Sequence, residues 1–200
     1  MKIFKSAILC AFALSSAFLS GCLSDILAPT ADTTVFYMVK AVPSEKKYEN
    51  RFWVNLQSIQ IPQYMARTQI VSCGQGDKLE ISEFDRWAEL PANGIERAIA
   101  VNVESTGVAT VFMYPSVAPA SEKTCSLKIY LYECLGKLDS DVVLAGKWQL
   151  DLPDKKGATV KSFKFTVSAQ NGYDGYVEAI NKLLAQLSAQ IADSLAGSNK

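Results

Sequence analysis

The sequence predicts an α+β domain, an antiparallel β-sheet carrying two amphipathic helices, behind an N-terminal signal peptide. Three features predict it. Runs such as 52–56 and 127–131 alternate apolar and polar residues with period two, which sets one face of a strand against a core. Two longer segments, 91–105 and 173–196, space their apolar residues at three and four, the repeat of a helix with one buried stripe. The first 21 residues join Lys2 and Lys5 to an apolar run, Ser6 to Leu19, that is too short and too serine-dotted to span a bilayer permanently.

That run ends in Leu19-Ser20-Gly21-Cys22. Small residues directly before a cysteine make the pattern called a lipobox. An ordinary secretory signal or an uncleaved anchor needs no cysteine there. The segment resembles bacterial lipoprotein signals, and the resemblance implies cleavage before Cys22 and acylation of its sulfur and new amino group. Several acyl chains, at about 0.8 kcal/mol per buried methylene, hold a protein on a membrane lastingly where one chain does not. In such proteins Asp after the cysteine retains the chain at the inner membrane; Leu23 here implies the periplasmic face of the outer membrane. Residues 1–21 are thus the signal, 22–33 a short aperiodic linker containing Pro29, and 34–197 a single domain.

Within the domain, 34–39 is β-branched and aromatic and opens as a strand. Pro43 to Arg51 reads as a charged loop, and Phe52, Val54 and Leu56 form the inward side of a strand that Pro62 closes. Thr68 to Cys73 and Lys78 to Phe84 flank Gly74-Gln75-Gly76-Asp77, a hairpin turn, since glycine takes the positive φ that tight turns demand. A phosphate loop would feed a helix; this one feeds a strand. Ile95, Ala98, Ile99, Asn102 and Val103 mark the first helix, with Pro91 tolerated at its start. Strands follow at 108–114, through Leu127, Ile129 and Leu131, through Trp148, Leu150 and Leu152, and through Phe163, Phe165 and Val167. Their short connections favour antiparallel neighbours. The last helix carries Tyr176, Val177, Ile180, Leu183, Leu184, Leu187, Ile191 and Leu195 over about 36 Å. Its polar side offers mainly Gln, Ser, Asn and Glu, with Lys182 its single lysine, so it suits a sheet better than a membrane surface. Strands, helix, strands, helix is also the order of two similar β-rich halves, each sheet face covered by one helix.

Composition narrows function by subtraction. The chain has no histidine, which removes the usual general base, the Ser-His and Cys-His nucleophiles, and the commonest transition-metal ligand. No pattern singles out catalytic residues, a metal site or a cofactor, and the expectation is a protein that is not an enzyme. Loss of Lys2 and Lys5 leaves 18 basic against 20 acidic residues, with no basic block to attract nucleic acid. With Cys10 removed and Cys22 acylated, Cys73, Cys125 and Cys134 remain. Cys125 and Cys134 lie nine residues apart on one strand, so about 30 Å and opposite faces separate them. Either Cys73 pairs with one of them, or all three are small apolar residues of the core.

Ile61-Pro62-Gln63-Tyr64-Met65-Ala66-Arg67-Thr68-Gln69-Ile70-Val71, followed after the hairpin by Phe84-Asp85-Arg86-Trp87-Ala88-Glu89 and a helix, resembles the ABC-type transport auxiliary lipoprotein family, the PqiC-like or YmbA-like proteins. Members carry Pro-x-Tyr-Leu-x-Arg-Pro-Gln-Ile-Val and then Arg-Trp-Ala-Glu-Pro-Leu. Thr68 stands here in place of the family's second Pro, and Leu90-Pro91 inverts its Pro-Leu. The resemblance implies an outer-membrane lipoprotein serving a lipid transport system of the MCE type, in which it meets an inner-membrane MCE-domain protein, as a homo-oligomeric ring. Tyr64, Arg67, Gln69, Arg86, Trp87 and Glu89 are the candidate partner surface, since Tyr, Trp and Arg recur at binding hot spots. Equally, Trp87 can be a core residue at a strand-to-helix corner, with Arg86 paired to Asp85 or Glu89. A different reading is a lipoprotein that itself carries lipid in an apolar pocket between sheet and helix.

Overall fold

The computed structural model describes residues 33–49, 52–113, 117, 123–153 and 156–198. The signal segment, Cys22 and the linker before Thr33 lie outside them. The unit described is Thr34–Lys200. Its strands are β1 (Val35–Tyr37), β2 (Phe52–Leu56), β3 (Gln69–Cys73), β4 (Leu79–Trp87), β5 (Ala109–Phe112), β6 (Lys123–Gly136), β7 (Asp141–Asp151) and β8 (Thr159–Ser168). The helices are α1 (Pro91–Ser105) and α2 (Gly172–Gly197), with a 3-10 turn at Gln63–Met65. The architecture is α+β, with both helices where the three-and-four spacing puts them.

The strands form two mixed sheets, ordered β1-β4-β3 and β5-β2-β6-β7-β8. Antiparallel pairing holds for β3 with β4 and along β6-β7-β8. It does not hold elsewhere: β1 runs parallel to β4, and β2 runs parallel to both β5 and β6. Short connections forced the antiparallel expectation only for strands adjacent in sequence. β2 instead finds its neighbours after β3, β4 and α1 have intervened, and such non-sequential pairing leaves no trace in local spacing. For the same reason the two-halves layout does not follow chain order, because β2 of the N-terminal half lies between β5 and β6.

The stripe of α2 is buried throughout, from Tyr176 to Leu195, and joins Ile95, Ile99 and Val103 of α1 and the inward residues of both sheets in one core. α1 and α2 pack side by side, α1 toward β5 and α2 toward β7 and β8. Pro91 opens α1 as its first residue, so the inverted Leu90-Pro91 is accommodated where a missing N–H costs nothing. Gly107, at φ +74, ends it with the left-handed residue that glycine tolerates. The hairpin between β3 and β4 closes with the Gly74 N–H on Lys78 O at 2.8 Å and Gly76 at φ +66.

One bulge corrects the cysteine expectation. The β6-β7 register shifts between Leu131 and Glu133. Cys125, Leu127, Ile129 and Leu131 face the core; past the exposed Tyr132 the phase resets and Cys134 is buried too. The two cysteines therefore share a face, and all three, Cys73 included, are free thiols.

Candidate partner surface

The signature run from Ile61 to Val71 carries the chain from the large sheet to the small one. Beyond β2, Gln60 still pairs with β6: its N–H donates to Ile129 O at 3.1 Å and its carbonyl accepts from Leu131 N–H at 2.8 Å. Pro62 cannot continue the ladder, and its carbonyl accepts the Met65 N–H at 2.9 Å to start the 3-10 turn. Tyr64, half-buried, then receives the Cys134 N–H on its hydroxyl at 3.1 Å, on the edge of β6 where β2 has run out. Burial raises the pKa of that phenol above its ordinary value, and the Cys134 N–H works against the rise. Tyr64 is a bracket between the sheets.

Arg67 is exposed and its guanidinium has no partner among the described residues. Gln69 on β3 lies opposite Arg86 on β4, and Arg86 is in register with Phe36 on β1. Register partners share a face, so Phe36, Arg86 and Gln69 form one row across the small sheet, exposed at Phe36 and half-buried at Arg86 and Gln69. Arg86 donates from Nε and Nη2 to the carbonyl of Glu83, at 3.3 and 3.2 Å, across the irregular part of β4. The expected pairing of Arg86 with Asp85 or Glu89 is thus not formed. Asp85 accepts from the Ser82 and Tyr37 hydroxyls, and Glu89 pairs with Arg97 one helix turn into α1. Arg97 holds the Glu89 carboxyl below the usual carboxylate range.

Trp87 is buried, only 6% exposed, and its backbone N–H donates to Thr68 O at 2.6 Å. The six signature residues therefore split. Arg67 is exposed and Arg86 half-exposed beside Phe36, Gln69 is half-buried at the edge of the interior, and Tyr64, Trp87 and Glu89 hold the corner.

Residues the sequence reading passed over lie just beyond β1. From Met38 to Tyr48 the chain runs as an extended strap across both helices rather than as a loose loop. Alternate backbone N–H groups are received by helix side chains: Lys40 by Asn181 Oδ1 at 3.0 Å, Val42 by Asn102 Oδ1 at 2.7 Å, Ser44 by Ser105 Oγ at 3.0 Å. Farther on, Lys46 and Tyr48 both reach Asp193 of α2. Asn102 and Asn181 are both buried on otherwise apolar stripes. A buried amide at such a place is a signal for an extended neighbour, because it must bond to something that is not its own helix.

The cavity among Met65, Gln69, Val71, Trp87, Cys134, Tyr176 and Ile180 holds about 20 Å³, and the Tyr176 hydroxyl donates to Val71 O at 3.0 Å across it. Two larger, open depressions lie beside the strap, of about 450 and 280 Å³. Among the described residues no helix is long and apolar enough to cross a membrane.

The fold is thus an α+β body with a buried core, a small sheet carrying the row of Phe36, Arg86 and Gln69, and a strap fastened across both helices. The family model of the ABC-type transport auxiliary lipoprotein component matches residues 38–192, and the chain belongs to that family. Its fold is also that of two crystal structures. One is of an uncharacterised protein, 19% identical with a TM-score of 0.66, covering 81% of this chain and 98% of the other. The second is of protein XCC0632 from Xanthomonas campestris, 12% identical with a TM-score of 0.63, covering 82% and 98%. No curated protein matches the sequence.

Proposed function

We propose that this chain is a lipid-anchored periplasmic accessory subunit of an MCE-type lipid transport system, docking the inner-membrane MCE-domain protein at the outer membrane. Cys22 carries the acyl anchor, and several copies assemble around the partner. The observation that carries the reading is the accessible part of the signature: in a chain of the transport auxiliary family, Arg67 is exposed, and the half-buried Arg86 lies in register with Phe36, 64% exposed, on the small sheet. Arginine and an aromatic side by side supply area and directed hydrogen bonds, the usual makings of a protein contact. Carriage of lipid by the domain itself finds no support inside it, since a 20 Å³ cavity has room for about one water molecule.

The test is binding of the full lipidated chain to the purified MCE-domain protein encoded beside it. Wild type is expected to bind. Arg67→Glu with Arg86→Glu should weaken binding by tenfold or more, about 1.4 kcal/mol, without lowering the melting temperature. No binding by wild type at micromolar concentrations would end this reading. Lipid co-purifying in stoichiometric amount with the washed domain would favour the carrier instead.

A further inference from the structure

The strap turns alternate N–H groups, at Lys40, Val42 and Ser44, toward the helices, and each is met. The same alternation runs back through Met38 and Phe36. Within β1, Tyr37 gives its backbone to β4, its carbonyl accepting the Ala88 N–H at 2.8 Å, so the backbone groups of Phe36 face away from the sheet. β1 is an edge strand. Among the described residues nothing bonds the Phe36 N–H and carbonyl or the Met38 N–H. These open rungs border the depression of about 450 Å³, with Phe36 and Met38 on the strand side and Val177 of α2 opposite. Phe36 and Met38 are 64% and 49% exposed.

We propose that this edge receives a short extended segment of a protein partner, added to β1 as an outer strand. The backbone geometry selects a peptide. Open donors and acceptors recurring every second residue, about 7 Å apart, match an extended chain, and an acyl tail offers no such groups. Charge selects the side chains. Glu178 is taken by Lys182 at 2.6 Å, which leaves Asp174, touched by the Tyr37 hydroxyl, at one end of the depression and Lys40 at the other. Asp174 and Asn181, which holds the Lys40 N–H, are seven residues apart on α2, about 10 Å, or about three residues of strand. The segment is therefore apolar in its middle, with a basic residue toward Asp174 and an acidic one three places away toward Lys40. The inference rests on the docking reading only for who supplies the segment.

Two capped hexapeptides serve as probes, Thr-Lys-Val-Val-Glu-Thr and its charge-reversed order Thr-Glu-Val-Val-Lys-Thr, read by residue-resolved hydrogen–deuterium exchange on the full chain. One of them, according to strand direction, is expected to slow exchange at the Phe36 and Met38 amides in a concentration-dependent way. Phe36→Pro should abolish the protection at Met38, the one of the two amides it retains, and leave the melting temperature unchanged, because proline is tolerated on an edge whose N–H faces outward. The double variant Lys40→Glu with Asp174→Lys should transfer the protection to the other probe, an outcome that does not depend on how the proline variant folds. Absence of protection by both probes at millimolar concentration overturns the proposal, as does unchanged preference in the double variant. So does protection of these amides by self-association of the chain alone, or by phosphatidylethanolamine–phosphatidylglycerol vesicles alone. If the MCE-domain protein binds wild type and the double variant Lys40→Glu with Asp174→Lys equally, docking stands and this edge is not its site.

Discussion

Glu89 and Trp87 stand two residues apart and hold the same corner by different means. Trp87 fills the junction of β4 and α1, and removing it leaves a void the surrounding backbone cannot close. Trp87→Ala is expected to cost about 3–5 kcal/mol in urea unfolding, against under about 0.5 kcal/mol for the half-exposed Arg86→Ala. Glu89 acts through charge. Its pairing with Arg97 lowers the folded-state pKa from 4.5, so in the acid range the unfolded chain binds more protons than the folded one. The pair's contribution is then present above pH 4.5 and is lost as pH falls through the folded value. Stability measured from pH 6 downward should drop more steeply below pH 4.5 in wild type than in Glu89→Gln. Equal slopes would remove the pair from the account. Both residues were visible in the sequence as signature positions. Their roles were not, because a motif records that a residue is constrained and not whether packing or a partner constrains it.

At the scale of elements, the β6 bulge and the strap carry the consequences. The bulge puts Cys125 and Cys134 on the core side, where burial pushes both thiols up to about 12. Since the thiolate is the reactive form, a maleimide at pH 8 should label the half-buried Cys73 first and reach Cys125 and Cys134 only in denaturant. Labelling of native Cys134 as fast as Cys73 would contradict the reset phase. The sequence held a trace of that reset: strict alternation from Leu131 would have buried Glu133 and exposed Cys134, the opposite of what either side chain prefers. In the strap, Asn102→Ala removes the acceptor of the Val42 N–H and is expected to cost about 1–3 kcal/mol. It should also speed amide exchange at Val42 and Ser44 while Lys40 stays held by Asn181. Uniform exchange along 38–47 in the variant would mean that the strap is fastened some other way. The Lys46–Asp193 ion pair, with both side chains more than half exposed, adds little by comparison.

For the whole molecule, the proposed attachment at Cys22 is separable from folding. Tyr176, Leu183, Leu187 and the rest of the described core lie within Thr34–Lys200. Cys22→Ala should therefore move the protein from the membrane fraction to the soluble periplasmic one with the same melting temperature. A variant that stays with membranes at high salt would place the attachment elsewhere than position 22.

The sequence by itself determined the α+β class, the two helices and the strands with their inward faces. These follow from spacing of three and four or of two, which each element carries within its own residues. It also carried the family signature, from Tyr64 through Glu89, as a string in fixed order. Only the tertiary structure decided that β2 pairs parallel to β5 and β6, that Glu89 chooses Arg97 over Arg86, and that Phe36, Arg86 and Gln69 form one row. Each of these joins residues far apart in the chain, and the energies that select such partners arise only when distant elements compete for the same surface.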